Sequence, residues 1–501
     1  MYSIDMKTLV RSSVIAAIDA QAQSLAAIPS VCLMESAALQ IFQHWKPLLK
    51  LDDRLIFLCG SGNNGGDALA VARYAYNEGY TNQLVVFIGN RPSVSFEVQK
   101  AIIAAYGIST CNVSELGNQE LVLADWIVDG LFGTGLRGSL HADLCPLVEA
   151  ANASTAQILA IDIPSGLGDS VPVDQVHIVA DLTITMGFSK RVLYHPAVRT
   201  DCGRIIVINP SFPPFLLDTV EADADLYDSD DLRLDPLASD DYKTSRGHVA
   251  LFGGSGTYTG AARLAARACF VSRAGLVTLF CDPEVYPIAA SESPSVMVRI
   301  FEDDRLDRYT VLLAGPGWGA GREALLEHLF ASSLPLVLDA DGINAYATML
   351  KEGKRPTHGP LVLTPHLGEL RNLVAGLWPE KAVCVAKQDA PDDFFTLLSQ
   401  LADQLDATLV VKSSLVYIVQ KGRATSIIDG GNPSLGVAGS GDVLAGIITA
   451  LLAKIGDLQQ ACIQGVLVHQ RAGVLAAQTY GYYDSETLLS FVGKAVAEAE
   501  Q

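Results

Sequence analysis

What most limits the fold of this chain is the recurrence of short, almost wholly apolar runs at intervals that leave room for a helix between them: "RLIFLC", "QLVVFIG", "ADWIVDGLF", "AQILAIDIPSG" and "DLTITMGF". Runs apolar at successive positions have no face to offer water. They suit strands covered on both sides, as in a parallel sheet with crossover helices packed above and below. An α/β layered fold is therefore expected. The texture breaks at the proline-rich "NPSFPPFLL" and the acidic "TVEADADLYDSDDLRLDPLASDD". It then restarts with "HVALFGGSG", "GLVTLF", "VLLAGPGWG", "LPLVLDADGIN", "GPLVLTPHLGE" and "TLVVKSSLVYIV". A chain of 501 residues can hold two such cores. The expected division is a domain over 1–215, a solvated acidic linker over 216–240 without a partner, and a second domain over 241–501. Both halves begin with strand, glycine loop and helix, but their later motifs differ, so they read as two distinct catalytic units and not as a repeat.

Charge and composition exclude several functions. A formal net charge of -20 argues against binding nucleic acid, whose phosphates are met by basic patches. A small anion is not excluded, since charges more than a Debye length of about 8–10 Å away are screened and local amides decide. The apolar run "VLAGIITALLA" is cut by Lys454, short of the roughly 18 residues a membrane span needs, so no membrane partner is expected. Asp5 and Asp19 interrupt any apolar export signal, so no export and a cytoplasmic location are expected. Nine cysteines without a C-x-x-C pair read as free thiols in a reducing compartment.

In "CGSGNNGGDALAVARYA", Gly60, Gly62 and Gly65 satisfy G-x-G-x-x-G between a strand and a helix, the setting of the dinucleotide fingerprint. The acidic residue that should follow roughly 20 positions later is missing, and the next strand ends in Asn90 and Arg91. Arg91 reads as a solvated arginine, with a 2′-phosphate contact as the alternative. No Gly-Lys-Ser/Thr follows, so the loop is not a P-loop. There remains a nest of backbone amides at a helix N-terminus, suited to an anion, with Asn63, Asn64 and Asp67 beside it; an ordinary strand-to-helix turn is the other reading. Asp129 in "VDGLFGTGLRG" and Asp162 in "IDIPSG" stand at two further strand ends. With Asp67, Asn64 and Ser165 they could form an oxygen-rich cage for a hard cation, although any one Asp could equally cap a helix.

In the second half, "GGNPSLGVAGSGDVLAGIITALLA" feeds a glycine-rich turn into a helix. The amides around Gly439 to Gly441 could hold anionic oxygens, and Asp442 could take the proton of a hydroxyl attacking a phosphoryl group, or could simply cap the helix. "TPHLGE" offers His366 and Glu369, and "LDADGIN" offers Asp339, Asp341 and Asn344. His366 is either structural or a ligand contact, and the two aspartates either hold magnesium through water or cap the next segment.

Over roughly residues 10–210, "LMESAA", "GSGNNGGD", "VDGLFGTGLRG", "IDIPSGL" and "ADLTITMGFSK" together resemble the NAD(P)H-hydrate epimerase domain, the YjeF N-terminal family. The resemblance implies a Rossmann-like three-layer α/β domain in which Asn63, Asn64, Gly65, Gly66 and Asp67 hold the hydrated dinucleotide. A second loop, Gly133, Thr134, Gly135, Leu136, Arg137, Gly138 and Ser139, would share that role. It also implies a potassium ion at Asn64, Asp129 and Ser165, and makes Asp162 a substrate contact and the acid/base. Ser36, Ala38 and Ala68 depart from the usual family pattern.

Over roughly 243–495, "YKTSRGHVALFGGSGTYTGAARLAARA", "GPGWG", "LDADGIN", "LTPHLGE" and "GSGDVLAG" resemble the ADP/ATP-dependent NAD(P)H-hydrate dehydratase, with a ribokinase-like fold. This implies that Ala261, Gly317, His366 and Asp442 meet the hydrated dinucleotide, and that Lys412, Ser413, Ser414, Leu415, Val416 and Gly441 hold the adenine nucleotide with magnesium. Ser413 and the Ser272–Arg273 pair are departures.

The substrates implied are NADHX and NADPHX, the forms of NADH and NADPH hydrated at C6 of the nicotinamide ring. The first domain would interconvert their R and S epimers, and the second would dehydrate the S form, with ADP the expected donor and ATP the alternative. A homo-oligomer is expected. The rival reading is a ribokinase-like small-molecule kinase with a non-catalytic N-terminal binding domain.

Overall fold

The computed structural model describes residues 7–292, 294–302, 305–383, 385, 387 and 389–500. Asp5 and Cys384 lie outside the described residues. The chain forms two compact units, Met1–Asp225 with Ala386–Phe395, and Leu226–Val385 with Thr396–Gln501.

The first unit is built on a seven-stranded sheet in the order Thr110–Asn112, Gln83–Ile88, Leu55–Gly60, Trp126–Gly130, Gln157–Ile161, Leu182–Met186 and Arg204–Ile208. Every pair in it is parallel. The strand Leu55–Gly60 is buried throughout, as its unbroken apolar sequence requires. Its period of two divides the core: Leu55, Phe57 and Cys59 pack with Ala37, Ile41, Phe42 and Trp45, while Ile56 and Leu58 pack with Val148 and Ala151 on the opposite face. Truncating Leu58 to Ala would cost about 2–5 kcal/mol.

The glycines of the first loop are there for close approach. A β-carbon on Gly65 would lie 1.7 Å from Gly60 O, and one on Gly60 would lie 2.0 Å from Leu131 O. Only glycine lets the helix Asn63–Asn77 start this close to its strand. Strand order reverses between Leu55–Gly60 and Trp126–Gly130, so the carboxyl ends of these two strands open the crevice in which such sheets bind ligands.

The second unit is also an α/β layered arrangement. Its strands run Met297–Arg299, Leu276–Phe280, His248–Phe252, Val311–Ala314, Leu336–Leu338, Leu361–Leu363 and Ala407–Lys412 in parallel, then Val416–Val419 and Thr425–Ile428 antiparallel. The run "VLAGIITALLA" lies in the helix Ser440–Ile455, which packs with the helices Ala261–Val271, Leu458–Tyr480 and Ser485–Ala499. No described helix is long and apolar enough to cross a membrane.

Two features differ from a simple cut at an acidic linker. Ala224–Tyr227, within the acidic stretch, is a strand whose Ala224 and Asp225 pair antiparallel with Leu9 and Thr8. Within the first unit, the short segment Ala386–Phe395 is held by the Asp392 amide on Asp169 O at 2.9 Å, by an ion pair between Asp392 and Arg191, and by Phe394 against the His195 ring. Composition carries no sign of either, since both depend on contacts between segments far apart in sequence.

Candidate active sites

In the first unit a cavity of about 1060 Å³ opens at the crevice. Of the residues named from sequence, Asn63, Asn64, Asp67, Gly133, Thr134, Gly135, Leu136 and Asp162 line it. Gly65 and Gly66 do not; they serve packing, and a β-carbon on Gly66 would meet Met34 Cε at 2.5 Å. Arg137, Gly138 and Ser139 are exposed outside the lining.

Asp162 follows the strand Gln157–Ile161 with φ of +71°, a left-handed conformation strained for any residue with a side chain. Its Oδ2 accepts from the Thr134 amide at 3.3 Å, and its Oδ1 accepts from Thr185 Oγ1 at 3.2 Å. The dominant partner is Lys190, whose Nζ donates to Asp162 Oδ1 at 2.6 Å, Thr185 Oγ1 at 2.7 Å and Met186 O at 2.7 Å. All three ammonium donors are therefore satisfied on a side chain that is 0% exposed. Burial pulls the Lys190 ammonium below the ordinary lysine range, against the attraction of Asp162. Sequence reasoning gave Lys190 no role, although a lysine closing the apolar run "DLTITMGFSK" was the available signal. Asp19, Met34, His141, Asp143, Met186 and Phe212 also line the cavity; Met34 and Met186 fall within "LMESAA" and "ADLTITMGFSK", and no local pattern marks the other four.

Asp129 is fully buried. Its Oδ1 accepts from Ser165 Oγ at 2.6 Å and the Leu131 amide at 3.2 Å, and its Oδ2 accepts from the Ser165 amide at 2.8 Å. Burial nonetheless pushes its carboxyl up to about 6, because the bonds come from neutral donors. Ser165 Oγ accepts from the Phe132 amide at 2.8 Å and lies 3.0 Å from Phe132 O. The Asn64 side chain reaches the same region: the position of a β-carbon on Gly133 is 3.1 Å from Asn64 Oδ1 and 3.0 Å from Asp162 Oδ2. Asn64 Nδ2 is buried without a hydrogen-bond partner among the described residues. Asp67 is held well above the usual carboxylate range by burial, and then by the charges of Asp162 and Asp19.

In the second unit the helix Ser440–Ile455 starts from Gly439, whose φ is +87°. Asp442 in its first turn is pushed up to about 7 by burial and by Asp339, with Lys412 acting against the rise and Asp341 and Glu369 adding to it. Lys412, ending the strand Ala407–Lys412, places Nζ 2.7 Å from Asp339 Oδ1 and 3.4 Å from the position of a β-carbon on Gly441. Burial would lower the Lys412 ammonium, but Asp339 and Glu369 hold it above its ordinary range. Glu369 is raised by burial, relieved by Lys412 and raised again by Asp339.

His366 stands at the adjoining strand end, bridged to Lys412, but its exposed ring caps the helix Leu367–Leu377 by accepting at Nδ1 from the Gly368 and Glu369 amides at 2.9 and 3.2 Å. Ser413 closes a tight turn, its amide and Oγ both donating to Leu415 O, at 2.9 and 2.6 Å. Ser414 is exposed, Leu415 is buried and Val416 begins the next strand. Ala261 and Gly317 meet, with the Gly317 β-carbon position 3.1 Å from Ala261 Cβ. Asp341 Oδ2 accepts from the Gly319 amide at 2.8 Å, and Asp339 occupies a helix N-cap position without a side-chain capping bond. Also absent from the sequence reading is His469, buried against Ser440 Oγ at 3.0 Å and held down to about 4 by burial, hence neutral.

Comparison with known proteins agrees in both units. Residues 30–192 match the family described as YjeF-related protein N-terminus, and residues 249–493 match NAD(P)H-hydrate dehydratase. A bifunctional NAD(P)H-hydrate repair enzyme from Coxiella burnetii is 32% identical over 84% of this chain and 86% of its own. One of the same description from Thermofilum pendens is 30% identical over 97% of this chain and 96% of its own. Among solved structures, a ribokinase-like superfamily protein from Enterococcus faecalis aligns with 56% of this chain and 97% of its own at 25% identity, with a TM-score of 0.49. Matched along most of its length by enzymes that carry the same two units, the chain belongs to the family of bifunctional NAD(P)H-hydrate repair enzymes.

Proposed function

We propose that Asp162 is the acid/base of an epimerase site in the first unit, and that Asp442 is the base of an ADP-dependent dehydratase site in the second. The observation that carries the first assignment is Asp162 on the wall of a cavity large enough for a dinucleotide, bonded to the fully buried Lys190. C6 of the hydrate bears both a hydroxyl and the ring nitrogen. If Asp162 takes the hydroxyl proton, the C6–N1 bond can break to an aldehyde as N1 receives a proton. Rotation and closure on the other face then return the opposite epimer. Lys190, bonded to Oδ1, orients Asp162 for this as a positioning residue. Asn63 and the first amides of the helix Asn63–Asn77 suit the pyrophosphate.

The donor set at Asn64, Asp129 and Ser165 fits potassium: a fully buried carboxylate bonded by neutral donors, with further oxygens close by. When bound, the ion would supply the positive charge that Asp129 lacks. Magnesium fits differently. Asp339 is engaged by Lys412 and Thr364, Asp341 by Gly319, and no group of three metal-ligating side chains converges among the described residues. A magnesium ion held mainly by nucleotide phosphates and water, near the surplus charge of Glu369 and Asp442, suits such a site.

Asp442, raised to about 7, would accept the proton of the S hydroxyl as its oxygen attacks the terminal phosphoryl group. Phosphate then leaves with the C6–O electrons, and loss of a proton from C5 restores the ring double bond. ADP as donor is part of this proposal, with ATP the alternative. The test is recovery of reduced-nicotinamide absorbance from mixed R and S hydrates with potassium and magnesium, comparing ADP, ATP and no nucleotide. Full recovery with ADP is expected. Recovery that stops at the S fraction would refute the epimerase assignment, and a stable phosphorylated product would refute the dehydratase one.

A further inference from the structure

The cavity of the first unit is poor in cationic side chains. Its lining includes Asp19, Asp67, Asp143 and Asp162, yet among the described residues Arg91 is its only arginine and no lysine lines it. Arg91 follows the strand Gln83–Ile88, which lies beside the glycine-loop strand on the side away from Asp129 and Asp162. The turn that carries it is fixed over the glycine loop: Gly89 has φ of +92° with its β-carbon position 2.8 Å from Ser61 Oγ, and the Ser93 amide donates to Ser61 O at 2.9 Å. Arg91 makes no ion pair among the described residues.

The direction of a bound dinucleotide follows from this topology. In an open sheet of this order the pyrophosphate sits at the first helix N-terminus, with the reacting ring over one side of the switch point and the adenosine ribose at the end of the neighbouring strand. Here Asp162 marks the reacting side and Arg91 the ribose side. An acidic residue at the ribose position would bind the 2′-hydroxyl of the unphosphorylated cofactor and repel a 2′-phosphate; a guanidinium does the reverse and can bind that phosphate through two parallel bonds.

We infer that Arg91 recognises the 2′-phosphate of the hydrated dinucleotide and makes the epimerase site selective for NADPHX over NADHX. The inference rests on the epimerase reading of the cavity. Its test compares interconversion of the R and S forms of each hydrate, followed chromatographically without nucleotide, in wild type, Arg91→Ala and Arg91→Asp. The ratio of kcat/KM for NADPHX to that for NADHX should fall at least tenfold in Arg91→Ala and further in Arg91→Asp, through KM. Because Arg91 is exposed, the wild-type ratio should also fall as salt is raised. A ratio unchanged in both variants, or equal losses on both hydrates, would overturn the inference while leaving the epimerase standing. A wild type that interconverts neither hydrate would overturn the epimerase reading, and this inference with it.

Discussion

Replacing Asp442 by Asn tests the second site through rate and stability at once. A carboxyl raised from 3.8 to about 7 is disfavoured as a carboxylate by roughly 4 kcal/mol, at 1.36 kcal/mol for each tenfold change. The unfolded chain ionises this group near its ordinary value, whereas the folded protein holds the proton until about 7. Stability is therefore lost as pH rises between those two values, and the loss is complete above the folded one. An uncharged Asn at 442 escapes that loss. Asp442→Asn should be more stable than wild type by up to about 4 kcal/mol at pH 8, by about 1.5 kcal/mol at pH 5 and by under about 1 kcal/mol at pH 4. Thermal unfolding at the three pH values reads this directly, with roughly 2–4 °C expected for each kcal/mol in a unit of this size. In the same variant the nucleotide-dependent recovery of absorbance should fall by about 10²- to 10⁴-fold, since the amide cannot accept the hydroxyl proton. A variant no more stable than wild type at pH 8, or a gain that does not shrink towards pH 4, would refute the reading of Asp442 as an uncompensated carboxylate. A rate within tenfold of wild type would refute its role as base.

Three further outcomes are expected. Lys190→Met strands Asp162 without its buried partner and should cost about 3–5 kcal/mol in denaturant unfolding while abolishing R/S interconversion; a well-folded, active variant would contradict the pairing. Potassium chloride should raise the unfolding temperature of the first unit above that in sodium chloride at pH 7–8. Below about pH 6, where Asp129 is protonated, the difference should fade, and Asp129→Asn should lose it at every pH. Gly65→Ala, whose β-carbon would fall 1.7 Å from a backbone oxygen, should force the loop from its strand and cost several kcal/mol; a loss under about 1 kcal/mol in chemical denaturation would show that the loop can shift freely.

The elements that build the candidate sites were legible because they obey local rules. Strands buried on two faces must be apolar without interruption, and a helix that begins against its own strand must begin with glycine, so "RLIFLCGSGNNGGD" announces strand, turn and anion nest together. Asp129 and Asp162 were legible as carboxylates at the ends of such runs, and Asp442 as one beside a glycine-rich turn at a helix start. What the sequence hid depends on tertiary approach. Lys190 lies 28 residues from Asp162, and the parallel pairing of Gln157–Ile161 with Leu182–Met186, the strands just before each, brings them together. The exposed Arg137, Gly138 and Ser139 looked equivalent to Gly133 because a loop's sequence does not say which of its residues face the cavity. His366 was ambiguous for a related reason: its ring satisfies helix amides, a role that follows from Glu369 standing three residues on, as in a capping box.

Each unit sets one lysine against one aspartate at the carboxyl end of its sheet, and the two pairs differ in which carboxylate they leave for chemistry. In the first, Lys190 is bonded at 2.6 Å to Asp162 itself, so the proposed acid/base is oriented by a partner that substrate need not displace. In the second, Lys412 is bonded at 2.7 Å to Asp339, and Asp442 is left among Asp339, Asp341 and Glu369 with its proton affinity raised to about 7. The two chemistries ask for this difference. Epimerisation must give back the proton it takes, and an oriented carboxylate beside a fixed ammonium favours neither epimer. Phosphorylation must remove a hydroxyl proton as the oxygen attacks, and a base poised near neutrality serves that step best. Transferring positive charge towards Asp442, as in Gly441→Lys, should then lower its proton affinity and slow the proton transfer even where the nucleotide still binds. A variant with unaltered kcat and an unaltered pH profile would show that the surrounding charge does not set the rate.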